Sequence, residues 1–125
     1  MTSRNRMFNC KNPYQGESKK VLCVCSAGLL RSPTTANVLH TDYGYNTRAV
    51  GIDKGHALIP LDEVHIEWAD EIVCMNGDMA LTLAGMATST PVYNLNIPDM
   101  FAYMDDKLQL MISESYEEIL NEEHT

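Results

Sequence analysis

Apolar positions along the chain change their period several times, and each change marks an element. "KKVLCVC" (19–25) is a short, almost wholly apolar run rich in β-branched residues, which predicts a strand buried on both faces. "RSPTTANVLHTDYG" follows. Ser32 suits an N-cap and Pro33 the first helical turn, Ala36, Val38 and Leu39 give apolar helix surface, and Gly44 stops the helix. "YNTRAVG" (45–51) reads as a second strand and "DKGHALIP" as a loop. Pro60 opens "PLDEVHIEWA", where Leu61, Val64, His65 and Trp68 share a helical face. "DEIVCMN" is a third buried strand, "GDMALTLAG" a short helix closed by Gly85, and "TPVYNLN" a fourth strand. "IPDMFAYM" is a loop. In the last segment, "DDKLQLMISESYEEILNEE", one stripe carries Leu108, Met111, Ile112, Ser115, Tyr116, Ile119 and Leu120, and acids occupy the other side.

Strands that alternate with helices imply a parallel sheet with helices on both faces, an α/β fold. Residues 1–17 carry Asn, Pro, Gly and Ser with little apolar periodicity. They read as a partly ordered arm, in which "NPYQG" around Tyr14 is an anchoring turn, and 18–125 as a single domain. In such sheets ligands bind beyond the carboxyl ends of strands, at the switch point of strand order. Cys25 ends the first strand, where that site would lie.

Composition narrows the function classes. The 125 residues are 45% hydrophobic and 21% charged, as in a soluble globular domain with a real core. No apolar run approaches the ~20 residues that span a bilayer, and the polar N-terminus does not read as a secretory signal, so a cytoplasmic protein without a membrane partner is expected. A net charge of −8 argues against nucleic acid as a partner. An anionic substrate therefore needs a local positive site. The four cysteines (Cys10, Cys23, Cys25, Cys74) form no C-x-x-C. Neither they nor His40, His56, His65 and His124 have metal-ligand spacing, so reduced, individually placed thiols and no metal or cofactor are expected.

The chemistry concentrates in "CSAGLLRS", Cys25 to Ser32. A loop running from a strand into a helix N-terminus turns backbone N–H groups toward one point. Those donors and the helix dipole favour an anion there. A cysteine at the start of the loop feels the same field, which favours its thiolate. Arg31 adds a planar fork suited to two phosphate oxygens. Ser32 can donate to the sulfur, and Gly28 tolerates the positive φ that a tight loop requires. A thiolate held beside an oxyanion cradle suits nucleophilic attack on phosphorus. Loop amides and Arg31 would hold the equatorial oxygens, and a carboxylic acid would protonate the leaving oxygen. A buried Cys25 acting as an inert small hydrophobe is the plainer alternative. The strand before it, the glycine and the Arg-Ser-Pro helix start weigh against that.

"VLCVCSAGLLRSPTTANVL" resembles the C-x5-R-[ST]-P motif of the low-molecular-weight protein tyrosine phosphatases, and is most similar to a short microbial and phage branch of that family. "NTRAVGI" is similar to the family's second-strand region and "WADEIVCMNGD" to its third, so the likeness covers about residues 19–104. The resemblance implies a four-stranded parallel sheet of order 2-1-3-4 in a three-layer sandwich. It also implies metal-independent hydrolysis of phosphomonoesters, with phosphorylated protein or a small phosphomonoester as substrate and inorganic phosphate as product. Cys25 would be the nucleophile, Arg31 the phosphate clamp and Ser32 the thiolate's partner. Ser26, Ala27, Gly28, Leu29 and Leu30 would give backbone donors. The general acid would be Asp99 in "NIPDMFAYM", although the order here is Pro-Asp where the family has Asp-Pro. Asp105 and Asp106 are the alternatives. Tyr103, with Phe101, would wall an aromatic substrate or else pack on the loop.

The chain departs from the family at Gly28, where asparagine is frequent, and at Leu30, where a second, redox-active cysteine is common. Cys23, nearby in sequence, is expected to point away from Cys25. Three rivals remain. "CSAGLLRS" also resembles the loop of sugar-phosphotransferase B subunits, which carry a phosphoryl group on cysteine but generally lack the arginine. Thioredoxin-coupled arsenate reductases need resolving cysteines, and no cysteine follows Cys74. A degenerate phosphate-binding module would not use Cys25 as a nucleophile at all.

Overall fold

The computed structural model describes residues 18–26, 30–53, 55, 57–86 and 89–123. The N-terminal arm, with Tyr14 and Cys10, lies outside them. In chain order the elements are β1 (Lys20–Cys25), α1 (Arg31–Tyr43), β2 (Asn46–Gly51), α2 (Glu63–Trp68), β3 (Glu71–Cys74), α3 (Gly77–Met86), β4 (Val92–Asn94) and α4 (Asp106–Glu123). The four strands form one parallel sheet of order β2-β1-β3-β4, as the resemblance implied.

β1 is central because its sequence can be buried on both faces. Val21, Leu22, Cys23 and Val24 are wholly buried, and each large aliphatic among them contributes about 1.5–3 kcal/mol of burial. By the right-handed rule for parallel crossovers, this strand order puts α1 on one face of the sheet and α2 and α3 on the other. α4 returns to pack on α1. It buries Leu108, Ile112 and Tyr116, the centre of the stripe read from the sequence, with Met111, Ile119 and Leu120 half-buried beside them. The chain reverses direction of travel across the sheet on either side of β1, so the carboxyl ends of β1 and β3 border the switch-point crevice.

Among the first three helices, each has a boundary that differs from the sequence reading. α1 starts two residues earlier, at Arg31, with Leu30 as its N-cap. Ser32 is inside the helix because its hydroxyl turns to Cys25 and to the Val50 carbonyl instead of capping amides. α2 starts at Glu63, since Asp62 accepts from the Val64 N–H and His65 Nδ1 accepts from the Asp62 N–H, a reciprocal cap that fixes the start. α3 runs through Gly85 to Met86. Gly44, in contrast, ends α1 as expected, with φ 72° and its N–H on the His40 carbonyl.

Candidate active site

The start of the loop after β1 is held by the sheet. The Ile52 N–H donates to the Cys25 carbonyl and the Asp53 N–H to the Ser26 carbonyl, both at 2.8 Å, so the β1–β2 ladder continues past the end of the strand. Cys25 is thereby fixed at the carboxyl end of the central strand with its side chain almost wholly buried. Its Sγ lies 3.1 Å from Ser32 Oγ, which lies 3.3 Å from the Val50 carbonyl oxygen. Ser32 has one proton for two acceptors. With a neutral thiol, Cys25 donates to Ser32 and Ser32 to Val50; with a thiolate, Ser32 can donate to sulfur. Leu30 offers no side-chain acceptor as N-cap, so its side chain does not compete for the first amides of α1.

Arg31 is buried to within 4% of its full exposure, and its guanidinium is held on three sides. Nη1 donates to the Ile97 carbonyl at 2.8 Å, Nη2 to Ser26 Oγ at 3.3 Å, and Nε lies 3.6 Å from Asp99 Oδ1. The Nε–Nη2 edge is the one that grips a carboxylate or phosphate with two parallel bonds. Nη1 is committed to the backbone behind it, and that edge faces Ser26 and Asp99. Ile97 is itself immobilised: its side chain is buried and its N–H donates to the Met75 carbonyl.

These groups border an open groove of about 480 Å³ at the carboxyl ends of β1, β3 and β4, lined by Ser26, Arg31, Met75, Asn76, Asn96, Ile97, Pro98 and Asp99. Sequence reading missed Met75, Asn76 and Asn96. Asn76 follows β3 and caps α3, its Oδ1 accepting from the Met79 N–H at 2.9 Å. Asn96 stands at φ 56°, and its N–H donates to Asn94 Oδ1 at 2.8 Å. Asparagine is among the few residues that tolerate this conformation, and an Asn-Leu-Asn stretch before Ile-Pro-Asp is the signal that could have marked the turn.

The three carboxylates considered from the sequence are separated clearly. Asp99, 63% exposed, stands at Arg31. Asp105 Oδ1 accepts from the Lys107 and Leu108 N–H groups and so caps α4. Asp106 lines a different groove, between α1 and α4, with Asn37, Asp42 and Gln109. Tyr103 is 56% exposed and is not part of the lining beside Arg31, while Phe101 packs half-buried against the core. Ala27, Gly28 and Leu29, the expected amide donors, and His56 lie outside the described residues.

The other two thiols of the sheet are shifted by burial. Burial, with Glu71 and Cys25 adding to it, pushes the Cys23 thiol well above its ordinary range. Burial pushes Cys74 up to about 11.

No protein-family model matches the chain, and a search of curated proteins by sequence found no match. Solved structures do match. The tyrosine phosphatase Wzb from Escherichia coli K30, in complex with sulphate, superposes with a TM-score of 0.65 at 12% identity, over 84% of this chain and 98% of that one. Wzb of Vibrio vulnificus in complex with benzylphosphonate gives 0.65 at 18% identity, over 84% and 99%. The YwlE arginine phosphatase from Geobacillus stearothermophilus gives 0.59 at 20% identity, over 83% and 94%. The chain has the fold of the low-molecular-weight tyrosine phosphatases, with the Cys25–Arg31 loop at the carboxyl end of its central strand.

Proposed function

We propose that the chain is a cysteine-dependent phosphomonoester hydrolase, acting as a low-molecular-weight-type protein tyrosine phosphatase through a phosphocysteine on Cys25. The observation that carries this reading is the convergence of Cys25, Ser32, Arg31 and Asp99 at one end of the sheet, with Arg31 bridging the phosphate loop and the loop that bears Asp99.

In the first step the Cys25 thiolate attacks phosphorus and the bond to the leaving oxygen breaks. Asp99, as the carboxylic acid, gives its proton to that oxygen. The Nε–Nη2 edge of Arg31 holds two of the three equatorial oxygens, and the loop amides that the resemblance implies as donors serve the remaining charge. In the second step the Asp99 carboxylate takes a proton from water. The resulting hydroxide attacks phosphorus, the S–P bond breaks, and inorganic phosphate leaves with the Cys25 thiolate restored. Ser32 donates to the sulfur whenever it carries negative charge. No step calls on a metal ion.

The rival reading, a phosphoryl carrier, would need the phosphocysteine to persist. An acid/base carboxylate beside the phosphate clamp favours its hydrolysis. Among substrates, phosphotyrosine in a protein suits the resemblance; the Escherichia coli Wzb is a tyrosine phosphatase, while the Geobacillus stearothermophilus YwlE is an arginine phosphatase.

The test is phosphate release from p-nitrophenyl phosphate in the presence of a chelator. Wild-type protein should turn over, and Cys25→Ser should abolish turnover while still binding oxyanion. Asp99→Asn should lower kcat/KM by about 10²–10⁴-fold for poor leaving groups and much less for p-nitrophenyl phosphate. Equal losses for both leaving groups would place the acid elsewhere, and full activity in Cys25→Ser would reject the mechanism.

A further inference from the structure

The carboxylate of Asp99 is mostly exposed, and among the described residues its recorded contact is the 3.6 Å approach to Arg31 Nε. Its position is therefore inherited from the loop that carries it, residues 96–104. That loop is pinned at two ends. At the first, Ile97 is buried, donates its N–H to Met75 and gives its carbonyl to Arg31. At the second, Met104 stands at φ 60°, a conformation that costs a residue of this type about 1–3 kcal/mol unless its surroundings hold it. Both sides of Met104 are held. Its N–H donates to Thr34 Oγ1 at 3.0 Å, and its carbonyl accepts from Gln109 Nε2 at 2.8 Å.

Thr34 is the informative partner. It is wholly buried in the first turn of α1, and its hydroxyl donates to the Leu30 carbonyl at 2.7 Å while accepting from Met104. The Leu30 carbonyl also accepts the Thr34 N–H at 3.3 Å. One hydroxyl thus joins the last carbonyl of the phosphate loop to the far end of the acid loop. It also helps keep that carbonyl paired on the helix side, away from an anion in the loop. Arg31 makes the corresponding link at the near end. Between the two links, Pro98, Asp99, Met100, Ala102 and Tyr103 are exposed and only Phe101 packs inward.

We infer that Thr34 is a positioning residue for the reaction: through Met104 it fixes the acid loop against the phosphate loop and so sets where the Asp99 carboxyl stands relative to the leaving oxygen. This rests on the assignment of Asp99 as general acid. An apolar side chain of the same shape would fill the same space without making either hydrogen bond. Misplacing a reacting group by an ångström from a distant position can cost on the order of 10²-fold.

The experiment is a leaving-group series of aryl and alkyl phosphates on wild type, Thr34→Val, Thr34→Ser, Gln109→Ala, Asp99→Asn and the Thr34→Val/Asp99→Asn double variant, with vanadate inhibition measured on each. Thr34→Val should lower kcat/KM for poor leaving groups by about 10- to 100-fold relative to p-nitrophenyl phosphate, leaving vanadate affinity within about twofold. Thr34→Ser should restore the wild-type slope. Gln109→Ala, which frees the other side of Met104, should steepen the slope in the same direction and serves alone if Thr34→Val does not fold. The double variant should match Asp99→Asn. Unchanged slopes in both Thr34→Val and Gln109→Ala, equal losses across the series, or a full extra loss in the double variant would overturn the inference. A flat response to Asp99→Asn itself would remove the acid assignment and the inference with it. A normal Asp99→Asn response beside an inert Thr34→Val would overturn the inference alone.

Discussion

Three cysteines of the sheet show how position decides what a thiol can do. Cys23 and Cys25 are two residues apart on β1 and so line the same face of the sheet, not opposite faces as expected, but of the two it is Cys25, at the strand end, that stands against Ser32. Cys23 is enclosed, and its thiol is held protonated by burial and by the negative charge of Glu71. Cys74 ends β3 with its sulfur buried, at about 11. For Cys23 and Cys74 the folded state favours the neutral thiol, so their contribution to stability is whole below the ordinary thiol range. For Cys74 it is lost as pH rises from about 9 through about 11. At neutral pH, iodoacetamide should therefore alkylate Cys25 well before Cys23 or Cys74, and phosphate or vanadate should protect it. Peptide mass mapping over time checks this. Equal labelling of all three, or labelling of Cys74 first, would contradict the assignment. The residues Cys25 and Arg31 were legible in the sequence because a strand end, a loop and a helix start constrain one another within eight positions. Met104 and Thr34 were not, because their roles arise where segments about 70 residues apart meet.

At the level of elements, the apolar period marked every strand and helix, and the errors lie at the ends. β3 and β4 are shorter than their apolar runs because pairing stops before the chain turns away. The flanking residues still bond in sequence: the Leu95 N–H donates to Cys74 and the Ile97 N–H to Met75. That continuation delivers Asp99 to Arg31, and no hydrophobic pattern encodes it. The same junction holds Asn76, which caps α3 through the Met79 N–H. Asn76→Ala should destabilise the protein by about 1 kcal/mol, as loss of a helix N-cap does. Denaturant unfolding would show it as a lower midpoint at unchanged slope; no change would mean that water or the backbone replaces the cap at no cost.

Across the whole molecule, polar groups separate into two ends of the sheet. At the amino end, Glu71 is buried between Lys19 Nζ and Tyr116 Oη, both at 2.8 Å, and Tyr43, Tyr45 and Tyr116 pack ring against ring around it. On the edge strand β2, Arg48 is almost wholly buried with its guanidinium 3.9 Å from the centre of the Trp68 ring. These charges are paired in place and hold the framework together. At the carboxyl end, Arg31 turns its paired edge toward an open groove. In a chain of net charge −8, Arg31 is thus a buried cation at the border of an open groove. The sheet order was legible only through the resemblance, since alternation of strands and helices gives parallel pairing but not which strands are neighbours.

The central claim is a covalent phosphoryl group on Cys25 during turnover. Acid quenching of Asp99→Asn during hydrolysis of p-nitrophenyl phosphate, followed by peptide mass spectrometry, tests it most directly. Asp99→Asn slows the water step, so the intermediate should accumulate as one added phosphoryl group on the Cys25 peptide, and Cys25→Ser should give neither the adduct nor turnover. A phosphoryl group on another residue, or steady turnover by Cys25→Ser, would contradict the account.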